Sequence, residues 1–384
     1  MSWPTVSLGD AVFFKGGGTP SRDNDKYWNG SIPWATVKDL NSGFSLVTTQ
    51  ESITEEGLKS SASNLIPRGT VIIPTRMALG KAVISEVDAA INQDLKAVFP
   101  QENLDSRFLL WYFITNGSRI KAMGKGATVK GVTLDQVRAL QIPLPPILEQ
   151  RRIAAILDKA DVLRTKRHDA IAKLDQLLQS IFLDMFGDPA SNAKGWPVGT
   201  LVDLGELDRG VSRHRPRGAP ELLGGEHPLI QTGDVSRSGG YIREFTATYS
   251  DIGLAQSKKW PAGTLCITIA ANIAETGILT FDACFPDSVV GFTPKQTSNV
   301  EFVQELMRFL REILEERAPQ VAQKNINLAI LRELPIPIPP AESQHQFARI
   351  ASRIESQKRT LQHHATQLDT LFASLQHRAF TGEL

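Results

Sequence analysis

The stretch Leu140–Gln150 reads LQIPLPPILEQ, and Leu334–Gln344 reads LPIPIPPAESQ. Pro143, Pro145 and Pro146 recur at Pro337, Pro339 and Pro340, an offset of 194 residues. The same offset relates Gln150 to Gln344, Ile156 to Ile350, Leu174 to Leu368, Asp175 to Asp369 and Phe186 to Phe380. Upstream the match survives with slips of a residue or two: Trp3-Pro4 with Trp196-Pro197, Pro33 with Pro228, Gly69 with Gly263. Solenoid units repeat every ~20–50 residues, so this is a duplicated domain with its connector. Two similar modules in one chain suggest a ligand with two parts to be read.

A long helix should follow each proline pair, because Pro145-Pro146 and Pro339-Pro340 mark its approach and cannot lie inside it. No proline occurs from Ile147 to Phe186, and no glycine until Gly187. Ile153, Leu157, Ala160, Ile171, Leu174, Leu178, Ile181 and Met185 advance in steps of three and four, with Arg164 and Arg167 between them, as in a heptad seam. Phe347, Ala351, Ile354, Lys358, Leu361, Ala365, Leu368, Phe372 and Leu375 repeat the pattern, and Lys358 mirrors Arg164. About 36 helical residues span ~54 Å. A stripe of that length must be covered, and the other helix is the obvious partner.

Outside the helices the texture is that of short strands. GTVIIP (Gly69–Pro74) and KAVFP (Lys96–Pro100) sit between Gly, Asn, Ser and Pro clusters. One helical patch per module is expected, at Leu104–Lys121 and at Val300–Arg317. The expected fold class is therefore α+β: two tandem modules separated by two long helices, which form an antiparallel, pseudo-two-fold coiled coil. The boundaries read as 1–145, a spacer helix over 146–190, 195–339, and a second spacer helix over 340–384.

A chain of 384 residues with 41% hydrophobic content can build two or three cores. The net charge of +1 does not announce a nucleic acid globally, so charge must be read locally. Cys266 and Cys284 have no counterparts in the first half, which favours reduced thiols over a disulfide framework. The start MSWPTVSLGD has neither the basic nor the apolar region of a secretory signal. With no long apolar run either, the expected location is the cytoplasm.

Catalytic signatures are mostly absent. Gly16-Gly17-Gly18-Thr19-Pro20-Ser21 lacks the ending of a phosphate-binding P-loop. It reads as a flexible loop, or as one that closely approaches a phosphate or a base edge. No GxGxxG follows a strand, the cysteines lack CxxC spacing, and His363-His364 lacks a cluster that would make a metal site. The chain is expected to have no catalytic residues, no metal and no cofactor of its own.

The basic clusters say more. DRGVSRHRPRG (Asp208–Gly218) holds four arginines and a histidine. Arginine can bond guanine bidentately or hold phosphate. Ser118–Gly131 carries Arg119, Lys121, Lys125 and Lys130 without an acid, and its mirror holds Gln323, Lys324 and Asn325. Asn and Gln suit adenine edges. Ordinary solvated loops remain the alternative for each. Tyr27, Trp28 and Trp34, near Lys26 and Lys38, fit core packing or an interface.

These residues resemble the DNA specificity subunit of type I restriction-modification systems, over essentially the whole chain. The most specific part is IPLPPILEQRRIAAILDKAD (142–161) with KLDQLLQSIFLDMFGDP (173–189), mirrored by IPIPPAESQHQFARIASRIE (336–355) with LDTLFASLQHRAFTGEL (368–384). PWATVKDL (33–40) and PLIQTGDV (228–235) are similar to patterns of its target-recognition domains. Ser343 and Gln346 depart from the Glu149 and Arg152 of the first copy.

The resemblance implies two inverted target-recognition domains on an antiparallel coiled coil, reading a bipartite, asymmetric DNA target through the major groove. It implies methyltransferase partners, two in number, and motor-nuclease partners. S-adenosylmethionine, ATP and Mg²⁺ would be held by those subunits. Loops that meet DNA combine base-edge and phosphate contacts. The candidates are Lys15, Thr19, Arg22, Lys38, Arg76, Lys81, Lys125 and Lys130 in the first module. In the second they are Arg213, Arg215, Arg217, Asp234, Asn272, Lys324 and Asn325. The rival reading is a coiled-coil scaffold that joins proteins without reading DNA. A self-sufficient nuclease would need clustered carboxylates with a lysine, and no convincing set is present.

Overall fold

The computed structural model describes residues 3–41, 43–126, 129–214, 216–270, 273–317 and 326–384. The chain forms two compact units. The first comprises 1–168 with 363–384, and the second comprises 169–362. The long helices, Ile147–Phe186 and Ala341–Thr381, are therefore shared, and each unit owns one half of each.

The two units have the same sheet topology. In the first, five strands pair in the order Val12–Gly16, Leu95–Pro100, Val71–Pro74, Val83–Ser85 and Ser45–Leu46. Four more pair as Glu51–Ile53, Trp28–Ala35, Ala89–Ile91 and Leu65–Ile66. In the second, the five are Gly205–Arg209, Val289–Pro294, Leu265–Thr268, Thr276–Leu279 and Tyr241–Ile242. The four are Ala247–Tyr249, Leu223–Leu229, Ala283–Cys284 and Lys259–Trp260. Gly69 (φ +83°) and Gly263 (φ +87°) make the same left-handed turn before matching strands, a conformation that costs glycine little.

The proline-rich exits explain themselves in this frame. Thr5 pairs with Pro143 and Val198 with Pro337, so each module's first strand is stitched to its exit. One residue-turn later a buried glutamine fixes the helix start. Gln150 Nε2 donates to the Pro145 carbonyl at 2.8 Å, and Gln344 Nε2 to the Pro339 carbonyl at 2.9 Å. Gln150 also donates to the Asn103 carbonyl (2.9 Å) and accepts from the Asp105 amide (2.8 Å), which latches the first module to its helix.

Within each unit the helix halves run antiparallel. In the first, Arg152 donates to the Leu384 carbonyl while Arg164 pairs with Asp369. In the second, Phe186 meets Phe347 while Lys358 pairs with Asp175. The halves also pack into the module cores. Trp111 is buried edge-on against Phe44 and Phe372, and its indole donates to Asp158 at 2.9 Å. Phe182 contacts Phe302, Phe309 and Phe347. Phe182 and Phe186 are more buried than the expected seam residues Ile181 and Met185, because this face meets the module rather than the other helix alone.

The helical patch expected at Leu104–Lys121 is two helices, Ser106–Thr115 and Gly117–Met123. The break lies at Gly117, where a Cβ would stand 2.5 Å from the Gly80 carbonyl oxygen. The second patch is continuous, as expected, over Val300–Arg317. Cys266 and Cys284 are buried and free. Among the described residues no helix is long and apolar enough to cross a membrane.

Candidate nucleic-acid interface

Gly17 and Gly18 are packed against neighbouring backbone, which does not suit a flexible loop. A Cβ on Gly17 would fall 1.9 Å from the Ile91 carbonyl oxygen, and one on Gly18 2.7 Å from the Ala62 carbonyl carbon. The backbone crosses its neighbours at contact distance, which only glycine allows. Gly210 makes the same crossing in the second unit, 2.3 Å from the Pro286 carbonyl oxygen. In the first unit the crossing is fixed by Trp34, whose indole donates to the Gly18 carbonyl at 3.0 Å. Thr19 and Arg22 are thereby delivered to one wall of a cleft of about 410 Å³, also lined by Lys38, Asn41, Glu51, Met77 and Gln93.

The groups in this cleft are unequally free. Arg22 stacks over Trp28 at 3.8 Å and forks onto Glu51, with Nη2 to Oε2 at 2.9 Å. This hydrogen bonding, with the attraction of the two charges, holds the Glu51 carboxyl below its usual range. Thr19 donates to Gln93. Lys38 is exposed at the rim. Lys81 reaches Asn41 from outside. Beneath the cleft, Lys96 donates to the Gln93 carbonyl at 2.7 Å, and its half-buried ammonium is lowered by desolvation.

A second cleft, of about 680 Å³, is lined by Arg76, Met77, Asp94, Lys125, Val129 and the segment after it. Bridges from Gly131 to both Arg76 and Lys125 bring these distant stretches together. Lys130 gives its carbonyl to the Met77 amide at 3.2 Å. Arg76 is largely exposed and only 4.0 Å at its nearest from Asp94, a weak hold in water. Met77 lines both clefts, so the two adjoin at this residue. Six candidates from the first module thus border one surface: Thr19, Arg22, Lys38, Arg76, Lys81 and Lys125. Lys130 adjoins it. Lys15 is exposed on the strand Val12–Gly16 and lines neither cleft.

In the second unit Arg213 and Arg217 are exposed on the loop after Gly205–Arg209. Gln256 accepts from the backbone amides of Arg213 (2.6 Å) and His214 (3.0 Å), which fixes the loop's path. Arg217 pairs with Asp287, whose backbone carbonyl also accepts from Arg209. Asp234 is buried and spends its carboxylate on the Gln231 amide (2.9 Å), Arg237 (2.9 Å) and Thr246 (3.0 Å). Its counterpart Asp39 caps in the same way, from the Thr36 and Gln50 amides. Asp234, expected at the DNA interface, is thus a buried capping residue whose carboxylate is taken up inside the unit. Arg215, Asn272, Lys324 and Asn325 lie outside the described residues.

Sequence reading missed Met77. It is 60% exposed with φ +64°, a left-handed backbone on a residue that is not glycine. Nothing in the local sequence marks it, because its position depends on the non-local pairing to Gly131. Among the described residues no group of three or more His, Cys, Asp or Glu side chains could hold a metal ion.

Comparison with known proteins places this arrangement. The family model described as "Type I restriction modification DNA specificity domain" matches residues 2–173 and again 193–369. The chain is 36% identical over 187 residues to the EcoR124I/EcoR124II specificity subunit of Escherichia coli, covering 47% of this chain and 45% of that one. It is 29% identical over 232 residues to the MjaIX specificity subunit of Methanocaldococcus jannaschii, covering 54% and 52%. The chain thus spans about half the length of these curated relatives. A solved type I restriction-modification S subunit from M. genitalium has the same fold, with a TM-score of 0.64 at 14% identity over 99% of this chain and 96% of that one. The chain belongs to the family of type I restriction-modification DNA specificity domains, and carries that domain twice.

Proposed function

We propose that this chain is the non-catalytic, sequence-reading subunit of a type I restriction-modification complex, with each unit reading one half of a bipartite DNA target. The observation that carries this reading is a shared frame with different side chains at matching positions. Gly80 (φ +85°) and Ala274 (φ +59°) hold the same left-handed position before matching strands. The next residue is Lys81 in one unit and Glu275 in the other, and Glu275 is tied to Arg311 at 2.6 Å. One framework that carries an exposed lysine in one unit and an ion-paired, half-buried glutamate in the other suits two different half-sites, hence an asymmetric target.

The clefts of the first unit combine what a reader needs: exposed cations for phosphate and polar and apolar groups for base edges. The helix pair supplies the spacing between half-sites. Methyltransferase subunits, two in number, and motor-nuclease subunits are the proposed partners in the cytoplasm. They would hold S-adenosylmethionine, and ATP with Mg²⁺. The test is selection of bound duplexes from a randomised pool by the full chain with its methyltransferase partner. A split motif with an unspecified gap supports the proposal. Recovery of one continuous motif, or of no motif, would overturn it.

A further inference from the structure

Met77 stands where two clefts meet. Arg76 and Lys125 border it on one side, Lys38 and Lys81 lie on the other, and the exposed Val129 lines the wall beyond. An exposed apolar side chain is unremarkable alone. This one is held out by a left-handed backbone, a conformation that costs free energy in residues other than glycine and that collects at functional sites. The strain is maintained by two-sided support: the Met77 amide donates to the Lys130 carbonyl, and the Ala78 amide to the Arg76 carbonyl at 2.9 Å. A flexible, polarizable thioether ringed by cations cannot bind phosphate. It can only add apolar contact where the cations bring the backbone of DNA close. In the major groove the one apolar feature that distinguishes a base pair is the thymine 5-methyl group.

We infer that Met77 is a specificity-determining residue, whose side chain packs on the 5-methyl group of one thymine in the half-site read by the first unit. This rests on the DNA-reading role of that unit. Arg76 and Lys125 set the register through phosphates, and Met77, with Val129 behind it, supplies discrimination.

The test uses the full chain and duplexes recovered from a randomised pool, with deoxyuridine replacing each thymine in turn. At one position in one half-site, loss of the methyl group weakens wild-type binding about fourfold, the value of burying one such group. The same replacement leaves Met77→Ala binding unchanged, because the contact is already gone. Met77→Gly keeps or raises the thermal midpoint while losing the same discrimination, which separates recognition from folding. Uracil scans that are identical in wild type and Met77→Ala overturn the inference, as does a half-site without thymine. If Met77→Ala binds as wild type while Arg76→Ala with Lys125→Ala binds weakly, the inference fails and the reading role stands. If neither variant changes binding, this surface does not read DNA.

Discussion

Lys358 Nζ donates to Asp175 Oδ1 at 2.7 Å, joining the two long helices within the second unit. Its counterpart in the first unit is Arg164, whose Nε lies 2.9 Å from Asp369 Oδ1 but off the hydrogen-bonding direction. Each seam cation therefore meets the aspartate of the facing helix, and the repeat offset relates one pair to the other. The environments differ: the side chains of Lys358 and Asp175 are 10% and 40% exposed, those of Arg164 and Asp369 30% and 46%. Removing the aspartate from the more buried cation should hurt more. Asp175→Ala is expected to cost about 1.5–3 kcal/mol, the range for a hydrogen bond to a charged group. Asp369→Ala should cost about 0–1 kcal/mol, as for exposed pairs. Denaturant midpoints of the two variants check this, and equal losses would remove the distinction.

Glu305 makes an acid-side prediction. Its side chain is nearly buried, with Oε1 lacking a hydrogen-bond partner. It sits in a pocket with Glu301, Arg308, Asp175, Glu355, Lys358 and Tyr241. Burial raises its pKa first, and Asp175 adds to that, against the attraction of Arg308 and Lys358. A carboxyl raised in the folded state binds its proton more tightly there than in the unfolded chain, where its pKa is about 4.3. Its charge thus opposes folding above the folded pKa, and the penalty fades as pH falls towards about 4. Glu305→Gln should raise the thermal midpoint at pH 7.5, with a gain that shrinks on acidification. A gain independent of pH would point to packing instead of charge.

The glutamine latch should be unequal between copies. Gln150 makes three side-chain hydrogen bonds in a buried site, whereas Gln344 donates to the Pro339 carbonyl and leaves its Oε1 unpaired. Gln150→Ala strands two carbonyls and an amide, at about 1 kcal/mol or more each. Gln344→Ala should cost about 1 kcal/mol in all. Thermal melts of both variants, compared at one pH, read the difference.

Arg76 and Lys125 are assigned to phosphates. Replacing both with alanine should weaken binding on every sequence alike. It should also reduce the slope of log affinity against log salt by about 1 for each lost contact. A salt titration with cognate and scrambled duplexes measures this. Loss confined to the cognate duplex would make either residue a base reader.

What the sequence made legible was what it encodes locally. The prolines at 143–146 and 337–340, the glutamines behind them and the three-and-four spacing located both helices to within a few residues. Phe182 was harder to place, because its helix carries one apolar face for the facing helix and another for the module. The candidate residues could be read from the sequence as separate cations, not as a surface. Arg76 and Lys125 meet only through Gly131, a pairing between stretches far apart in the chain. Asp234 was expected to meet DNA, but its oxygens are taken up by the Gln231 amide, Arg237 and Thr246.

The central claim is that each unit reads its own half of a split target. It is tested most directly by modified-base sequencing in cells without other adenine methylation, with the methyltransferase partner co-expressed. One strain carries this chain and another carries it with residues 1–145 exchanged for those of a relative. The account predicts a split methylated motif in which the exchange rewrites one half and leaves the other half and the gap unchanged. A motif that does not depend on this chain, or an exchange that rewrites both halves, would contradict it.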